Sequence, residues 1–365
     1  MIDKRLLKNL DYVIIAVVVL LTTISFFVIA SASPENPYYF VKRQGIWVSV
    51  GLVLFVVVLS IDYHDLIPYA NHLYYLNLAL LIAVLIFGRE AKGAQRWLRL
   101  GFFELQPSEL AKLIIIVTLA DLLSKRASSL QTGSVRDLFP ALLHVGVPMA
   151  LILKQPDLGT SMVFIGLLVG MLFVAGIKWQ YLAGFSALGG ALAPLLFYLL
   201  EDYQQKRILV VFNPYIDPTD SGYNVIQSMI AIGSGRVWGK GLFGGTQNRL
   251  GFLPEQHTDF IFSVIGEELG FIGAAVIIAL YFILIYRGIR VALKARDDFG
   301  VLLATGVTVM FTFHILVNVG MTLGVMPVTG IPLPFMSYGG SSYLVNMMAL
   351  GLLLNVHMRR QKILF

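Results

Sequence analysis

The 365-residue chain contains no cysteine. Disulfide staples and thiolate metal sites are therefore excluded. Charge is also scarce: Asp, Glu, Lys and Arg make up 13% of the residues, against 57% hydrophobic, and the mean hydropathy is +0.79. An ordinary soluble domain carries about 25% charged residues, so the composition excludes that class and indicates a polytopic membrane protein. The net charge of +6 does not call for nucleic acid, because Lys and Arg at membrane edges meet anionic headgroups. A small-residue cleavage site is missing after the basic segment at residues 1–8. The apolar run that follows thus reads as a span and not as a removed signal peptide. There is no internal repeat and no separate soluble unit, so residues 1–365 read as one integral membrane domain.

What is abundant is the apolar run. A helix needs roughly 20 such residues to cross the hydrocarbon core. Ten spans are predicted, near residues 11–31, 45–61, 72–88, 107–123, 138–154, 158–176, 181–200, 260–286, 301–323 and 336–357. The expected fold is all-α and polytopic, with a large extracytoplasmic loop over about residues 201–259, between spans seven and eight. With both termini cytoplasmic, the inside positions hold about twice as many Lys and Arg as the short outside loops, as the positive-inside rule requires. Within the large loop, residues 222–236 mix apolar and polar side chains in the manner of an interfacial helix. Gly239, Gly241, Gly244 and Gly245 then permit tight turns.

Several charged or polar groups interrupt this apolar pattern. Asp259 stands where the large loop re-enters a span. A carboxylate at such a boundary is costly unless a partner or a reaction needs it; the plainer reading is a helix N-terminal acid favoured by the dipole. Glu109 and Lys112, three residues apart in QPSELAK at 106–112, share one helix face. They are either a structural ion pair or the charged wall of a cavity. Glu267 and Glu268 fall two turns inside span eight, and adjacent residues do not share a face, so at most one points into a given cavity. His257 lies among carboxylates, as a packed or capping residue or as part of a polar site. Ser337, Ser341 and Ser342 follow two prolines and flank a Gly-Gly pair, a pattern that fits either an anion-binding turn or a packed re-entrant one. Asp157 in QPDLGT at 155–160 suits a helix cap. The basic loops on the outside, including Arg96 beside Trp97, suit headgroup anchoring or an anionic ligand.

Taken together, GAQRWLR at 93–99, QPSELAK at 106–112, QPDLGT at 155–160, GYNVIQSMIAIGSG at 222–235, GGTQNRLGFLPEQHTDFIFSVIGEELG at 244–270 and LPFMSYGGSS at 333–342 resemble the SEDS family (shape, elongation, division and sporulation). Ala94–Arg96, Gly222–Asn224 and Gly245–Gln247 are more similar to its RodA-type elongation branch than to the division branch. The resemblance implies a peptidoglycan glycosyltransferase of the bacterial cell membrane that polymerises lipid II for elongation and rod shape. It also implies a class B penicillin-binding protein and other elongation-complex membrane proteins as partners. Asp259 matches the family's catalytic aspartate, and Glu109 and Lys112 match its cavity-lining pair. The candidate site is then Asp259 as general base, with Gln106, Glu109, Lys112, Arg96, Arg207, His257, Ser341 and Ser342 around the substrate.

The activity the resemblance implies joins an α-linked glycosyl pyrophosphate donor into a β linkage, so inversion is expected, with a base on the attacking hydroxyl. Lys112, Arg96 and Arg207 are the cations expected at the leaving diphosphate. A divalent ion (Mg or Mn) can share that task, although the sequence carries no dedicated metal cage. Two other classes fit the composition: a lipid II flippase, which also needs a polar intramembrane cavity, and a non-catalytic membrane scaffold for cell-wall synthases.

Overall fold

The computed structural model describes residues 8–91, 94–100, 103–126, 138–198 and 200–360. Lys4, Arg5, Lys92, Gly93, Arg136 and Lys362, which enter the charge argument or the first motif, lie outside the described residues. Each predicted span is met by a helix. Helices α1 (Tyr12–Ser31), α2 (Pro37–Ser60) and α3 (Ala70–Phe87) come first, with a 3-10 turn (Tyr63–Tyr69) before α3. A small antiparallel sheet follows, made of β1 (Arg89–Ala91), β2 (Ala94–Leu100) and β3 (Phe103–Leu105) in the order β1-β2-β3. Then come α4 (Pro107–Ser124), α5 (Phe139–Leu153), α6 (Leu158–Val174) and α7 (Trp179–Tyr198). The large loop holds α8 (Asp202–Phe212), α9 (Ser221–Ser234) and α10 (Thr246–Arg249). The chain ends through α11 (Ile261–Leu293), α12 (Asp298–Thr322) and α13 (Gly340–Met358).

Among the described helices, five segments are long and apolar enough to cross a membrane by length and composition: α1, α2, the segment Tyr63–Phe87 that ends in α3, α11 and α12. Helices α5 and α6 are apolar but shorter. Helix α4 carries Glu109, Lys112 and Asp121, all three buried. Charges in a lipid-facing helix are expensive, and burial within protein is how this chain accommodates them. The apolar window of α12 is 72% buried, against 17% for α2 and 22% for α11. Helices α4, α12 and the almost wholly buried α13 therefore form the centre, and the others pack around them with apolar outer faces.

The large loop is ordered by the helix that follows it. Helix α9 buries Gly222, Val225, Ser228 and Ala231 on one stripe. Its Ser228 hydroxyl reaches the Ser263 hydroxyl at 2.6 Å and the Thr322 carbonyl at 2.6 Å. It is amphipathic as expected, but it is packed against α11 as well as bordering the surface. Helix α11 breaks at Gly270, whose φ is +65°. The N–H groups of Phe271 and Ile272 leave the helix ladder and donate to the Arg236 and Val237 carbonyls. A Cβ at Gly270 would lie 2.3 Å from the Gly239 nitrogen, so glycine is needed for this close approach as well as for its φ.

Glu267 and Glu268, just before that break, are both buried, and both turn toward the glycine-rich segment. Glu267 Oε1 accepts from Lys240 Nζ (2.7 Å), Thr246 N (2.8 Å) and Gln247 N (3.1 Å). Glu268 accepts from the Ser31 hydroxyl. The question of which of the two faces the substrate cavity has the answer neither.

Candidate active site

The N-terminal ends of α4, α6, α11 and α13, the β-sheet, α8 and the 328–332 segment converge on one cavity of about 1360 Å³. Its wall has two electrostatic characters. Arg43, Arg89, Arg96, Arg99 and Arg207 contribute positive charge. Glu104, Glu109, Asp157, Asp220, Glu255 and Asp259 contribute negative charge. Gly339, Gly340, Ser341 and Ser342, at the start of the 19-residue α13, also line it. The first-turn N–H groups and the dipole of that helix end favour an anion.

Asp259 lies in this wall, half-buried. It precedes α11 on a turn in which the N–H groups of Thr258, Asp259 and Phe260 all point to the Glu255 carbonyl. Its carboxylate faces Gly330, where a Cβ would come 3.3 Å from Oδ2. Gly330 has φ +71°, a backbone state that a side chain would strain, so the opposing wall stays bare. On the other side of that segment, a Cβ at Gly159 would meet the Thr329 carbonyl at 2.6 Å. The α6 N-terminus, with Asp157 and Thr160, is thus seated against the strip facing Asp259.

The cationic side is built around Pro156 and Asp157. Arg96 donates through Nε to the Gln155 carbonyl (3.1 Å) and through Nη2 to the Pro156 carbonyl, and lies 4.0 Å from Asp157. Tyr203 OH donates to the same Pro156 carbonyl at 3.2 Å, and the Arg207 guanidinium lies over the Tyr203 ring at 5.6 Å. Asp157 caps α6 through Thr160 N (3.1 Å), as its sequence position suggests, and also accepts from Ser108 Oγ (3.2 Å). Gln106 Nε2 donates to Ser108 Oγ at 3.1 Å, and Gln106 N donates to Ser341 Oγ at 3.2 Å. Ser341 Oγ donates onward to the Glu104 carbonyl at 3.1 Å. The three motif blocks around residues 106, 157 and 341 are therefore one hydrogen-bonded unit.

Two of the expected substrate-binding residues stand behind the wall. Lys112 is 1% exposed; its ammonium is held by Glu109 Oε1 at 2.7 Å and His314 Nε2 at 3.1 Å. The two form a buried ion pair; Glu109 is also in the cavity wall and Lys112 is not. They share one face, but Lys112 stands about 4.5 Å farther along the axis, away from the helix N-terminus that meets the cavity. The His257 ring packs against Phe40 (4.6 Å between centroids) and Tyr338 (5.6 Å) and is not part of the wall. Ser337 likewise serves the backbone, not the cavity: its hydroxyl donates to the Thr258 carbonyl at 2.6 Å and accepts from Leu333 N at 2.8 Å. Sequence reasoning did not select Arg43, Tyr203 or Gly330. Arg43 and Tyr203 are near the span ends and could have been flagged on that ground; Gly330 carries no local signal.

Among the described residues, no group of three or more His, Asp or Glu gathers in a way that could hold a metal ion. The cavity carboxylates are spread around the wall.

Comparison with known proteins agrees with the arrangement. The family model described as cell cycle protein, covering FtsW, RodA and SpoVE, matches residues 9–362. FtsW of Geobacter metallireducens is 41% identical over 98% of this chain and 97% of its own. The peptidoglycan glycosyltransferase MrdB of Escherichia coli is 39% identical over 97% and 95%. Among solved structures, a chain from a peptidoglycan synthase complex that coordinates polymerization and crosslinking superposes with a TM-score of 0.84 at 34% identity, covering 96% of this chain and 98% of that one. The rod-shape-determining protein RodA of Thermus thermophilus gives 0.73 at 32% identity, with 97% and 98% coverage.

Proposed function

The chain belongs to the FtsW/RodA/SpoVE family, and from that premise we propose that its cavity polymerises lipid II with Asp259 as the general base. The protein is a peptidoglycan glycosyltransferase of the multi-pass membrane type. One observation carries the site assignment. Asp259, the last carboxylate before the chain re-enters α11, lines a cavity that five arginines and a helix N-terminus also line.

The reaction is a single in-line displacement. The acceptor sugar hydroxyl gives its proton to the Asp259 carboxylate while its oxygen bonds to the donor anomeric carbon. The bond from that carbon to the diphosphate oxygen breaks, and the lipid diphosphate leaves with the electron pair. Arg96, Arg207 and the α13 N-terminus with Ser341 and Ser342 take up the charge that develops there. Arg96 is already anchored on the Gln155 and Pro156 carbonyls, so it is oriented before substrate arrives. Lys112 has no part at the diphosphate; it neutralises Glu109 from within. A divalent cation bound with the substrate diphosphate would add to this charge stabilisation, and one or two of the cavity carboxylates would suffice to hold it.

Both termini lie on the cytoplasmic side, with the cavity and the 201–259 loop outside, as the distribution of Lys and Arg supports. A class B penicillin-binding protein is the partner that cross-links the product; the likeness to a synthase-complex chain supports this. The test uses purified protein, partner and labelled lipid II, with products resolved by glycan length. Asp259→Asn is expected to abolish polymerisation while the protein stays folded and inserted. Strands made at the wild-type rate by Asp259→Asn would refute the base assignment, and lipid translocation without a new glycosidic bond would favour a flippase.

A further inference from the structure

Three successive carbonyls precede α11 and cannot join its ladder: those of His257, Thr258 and Asp259. Each is taken by a donor from outside the turn. Tyr338 N donates to the His257 carbonyl at 2.9 Å. Ser337 Oγ donates to the Thr258 carbonyl at 2.6 Å. Asn318 Nδ2 donates to the Asp259 carbonyl at 2.9 Å. Asn318 and Ser337 each make a second bond to the 331–333 segment. The Asn318 amide also donates to the Ile331 carbonyl at 2.8 Å, and Ser337 Oγ accepts from Leu333 N at 2.8 Å.

Asn318 is fully buried in α12. An amide in such a place is costly unless its donors are met, and an NH2 group has two. Here both hydrogens go to main-chain carbonyls: that of Asp259 itself, and that of Ile331, next to the Gly330 that faces the Asp259 carboxylate. The opposite amide rotamer would set Oδ1 against two carbonyl oxygens, which is repulsive. The side chain thus spans the turn that carries the carboxylate and the bare strip that faces it, and it sets the gap between them.

We infer that Asn318 is a positioning residue for glycosyl transfer, with Ser337 as its counterpart one residue earlier on the turn; neither touches substrate. This inference rests on Asp259 being the base. A proton-accepting carboxylate must sit within hydrogen-bond reach of the attacking hydroxyl, and a misplacement of about 1 Å can cost on the order of 100-fold in rate. The cavity arginines take no part in the Asn318 and Ser337 hydrogen bonds, so KM is not expected to follow this gap.

The experiment measures kcat, KM for lipid II and thermal stability of the full-length protein with its partner. Asn318→Leu, similar in volume but without donors, is expected to lower kcat roughly 10- to 100-fold with KM within about twofold of wild type. Ser337→Ala is expected to lower kcat by a smaller factor, and Ser337→Thr, which keeps the hydroxyl, to restore it. Wild-type kcat in Asn318→Leu, alongside an inactive Asp259→Asn, overturns the inference and leaves the base assignment standing. Activity in Asp259→Asn overturns the base assignment itself. If Asn318→Leu does not fold, the Ser337 pair decides: loss in both Ala and Thr, or loss that only follows the melting temperature, counts against positioning.

Discussion

The Glu109–Lys112 pair shows at the scale of single residues what burial does to a charge. Lys112 has Glu109 and His314 as partners and almost no contact with solvent. Removing one member of such a pair leaves the other charged and unmatched in a low-dielectric interior, which costs about 3–5 kcal/mol. Lys112→Met is therefore expected to destabilise the protein by about that amount in denaturant unfolding in detergent. The double variant with Glu109→Gln should recover part of the loss, because the unmatched charge is gone. KM for lipid II should change little in any form of Lys112→Met that folds, since the ammonium does not reach the cavity. A large rise in KM at unchanged stability would return Lys112 to the substrate site. Gly330 and Asn318 act at the same scale by different means, one by having no side chain and the other by having two donors.

At the scale of elements, the end of the bundle far from the cavity is joined by a polar junction. Asp62, just after α2, receives His64 N at 3.0 Å and lies 2.8 Å from His64 Nδ1 and 3.0 Å from Arg359 Nε, which follows α13. The other nitrogen of His64 meets Asp297, the N-cap of α12, whose Oδ1 accepts from Gly300 N at 2.7 Å. Burial pushes the Asp62 carboxyl up, but the His64 hydrogen bonds and the Arg359 charge outweigh it, and the group is held below its ordinary value. A carboxyl with a lowered folded-state pKa contributes stability that is present above its unfolded value, about 3.9. That contribution is lost as pH falls through the folded value. The melting-temperature gap between wild type and Asp62→Asn is thus expected to close as pH falls below about 4. Burial lowers the His64 pKa, but Asp62 and Asp297 outweigh it and raise the value. The gap is therefore expected to narrow as well when pH rises through the His64 value and the imidazolium is lost; a gap that stayed open below about pH 3 would refute the role of the carboxylate.

At the scale of the whole molecule, the absence of cysteine makes orientation directly measurable. Tyr215→Cys in the large loop and Arg296→Cys between α11 and α12 are both at exposed positions. A membrane-impermeant maleimide added to intact cells is expected to label the first and spare the second until the membrane is opened. The reverse pattern would place the cavity in the cytoplasm and refute the assigned topology. A helix stands at each of the ten runs read from the sequence, because an apolar run of this length favours lipid or protein interior over water and must satisfy its own backbone there. The three-stranded sheet at 89–105 was not legible: its strands of three, seven and three residues are too short to impose a period. Asp259 could be picked out because a carboxylate beside lipid needs a reason; Arg96, Ser341 and Ser342 were candidates with plainer readings beside them, and Gln106 came from the family resemblance alone. By itself, then, the sequence determined which segments enter the membrane and which polar residues are out of place there. Which of those residues share a wall, that Lys112 and His257 stand behind it, and that Asn318 and Gly330 frame the carboxylate were decided only by the tertiary structure. Hydrogen bonds and close contacts join residues far apart in the chain, and no local pattern of hydropathy records where the distant partner will lie.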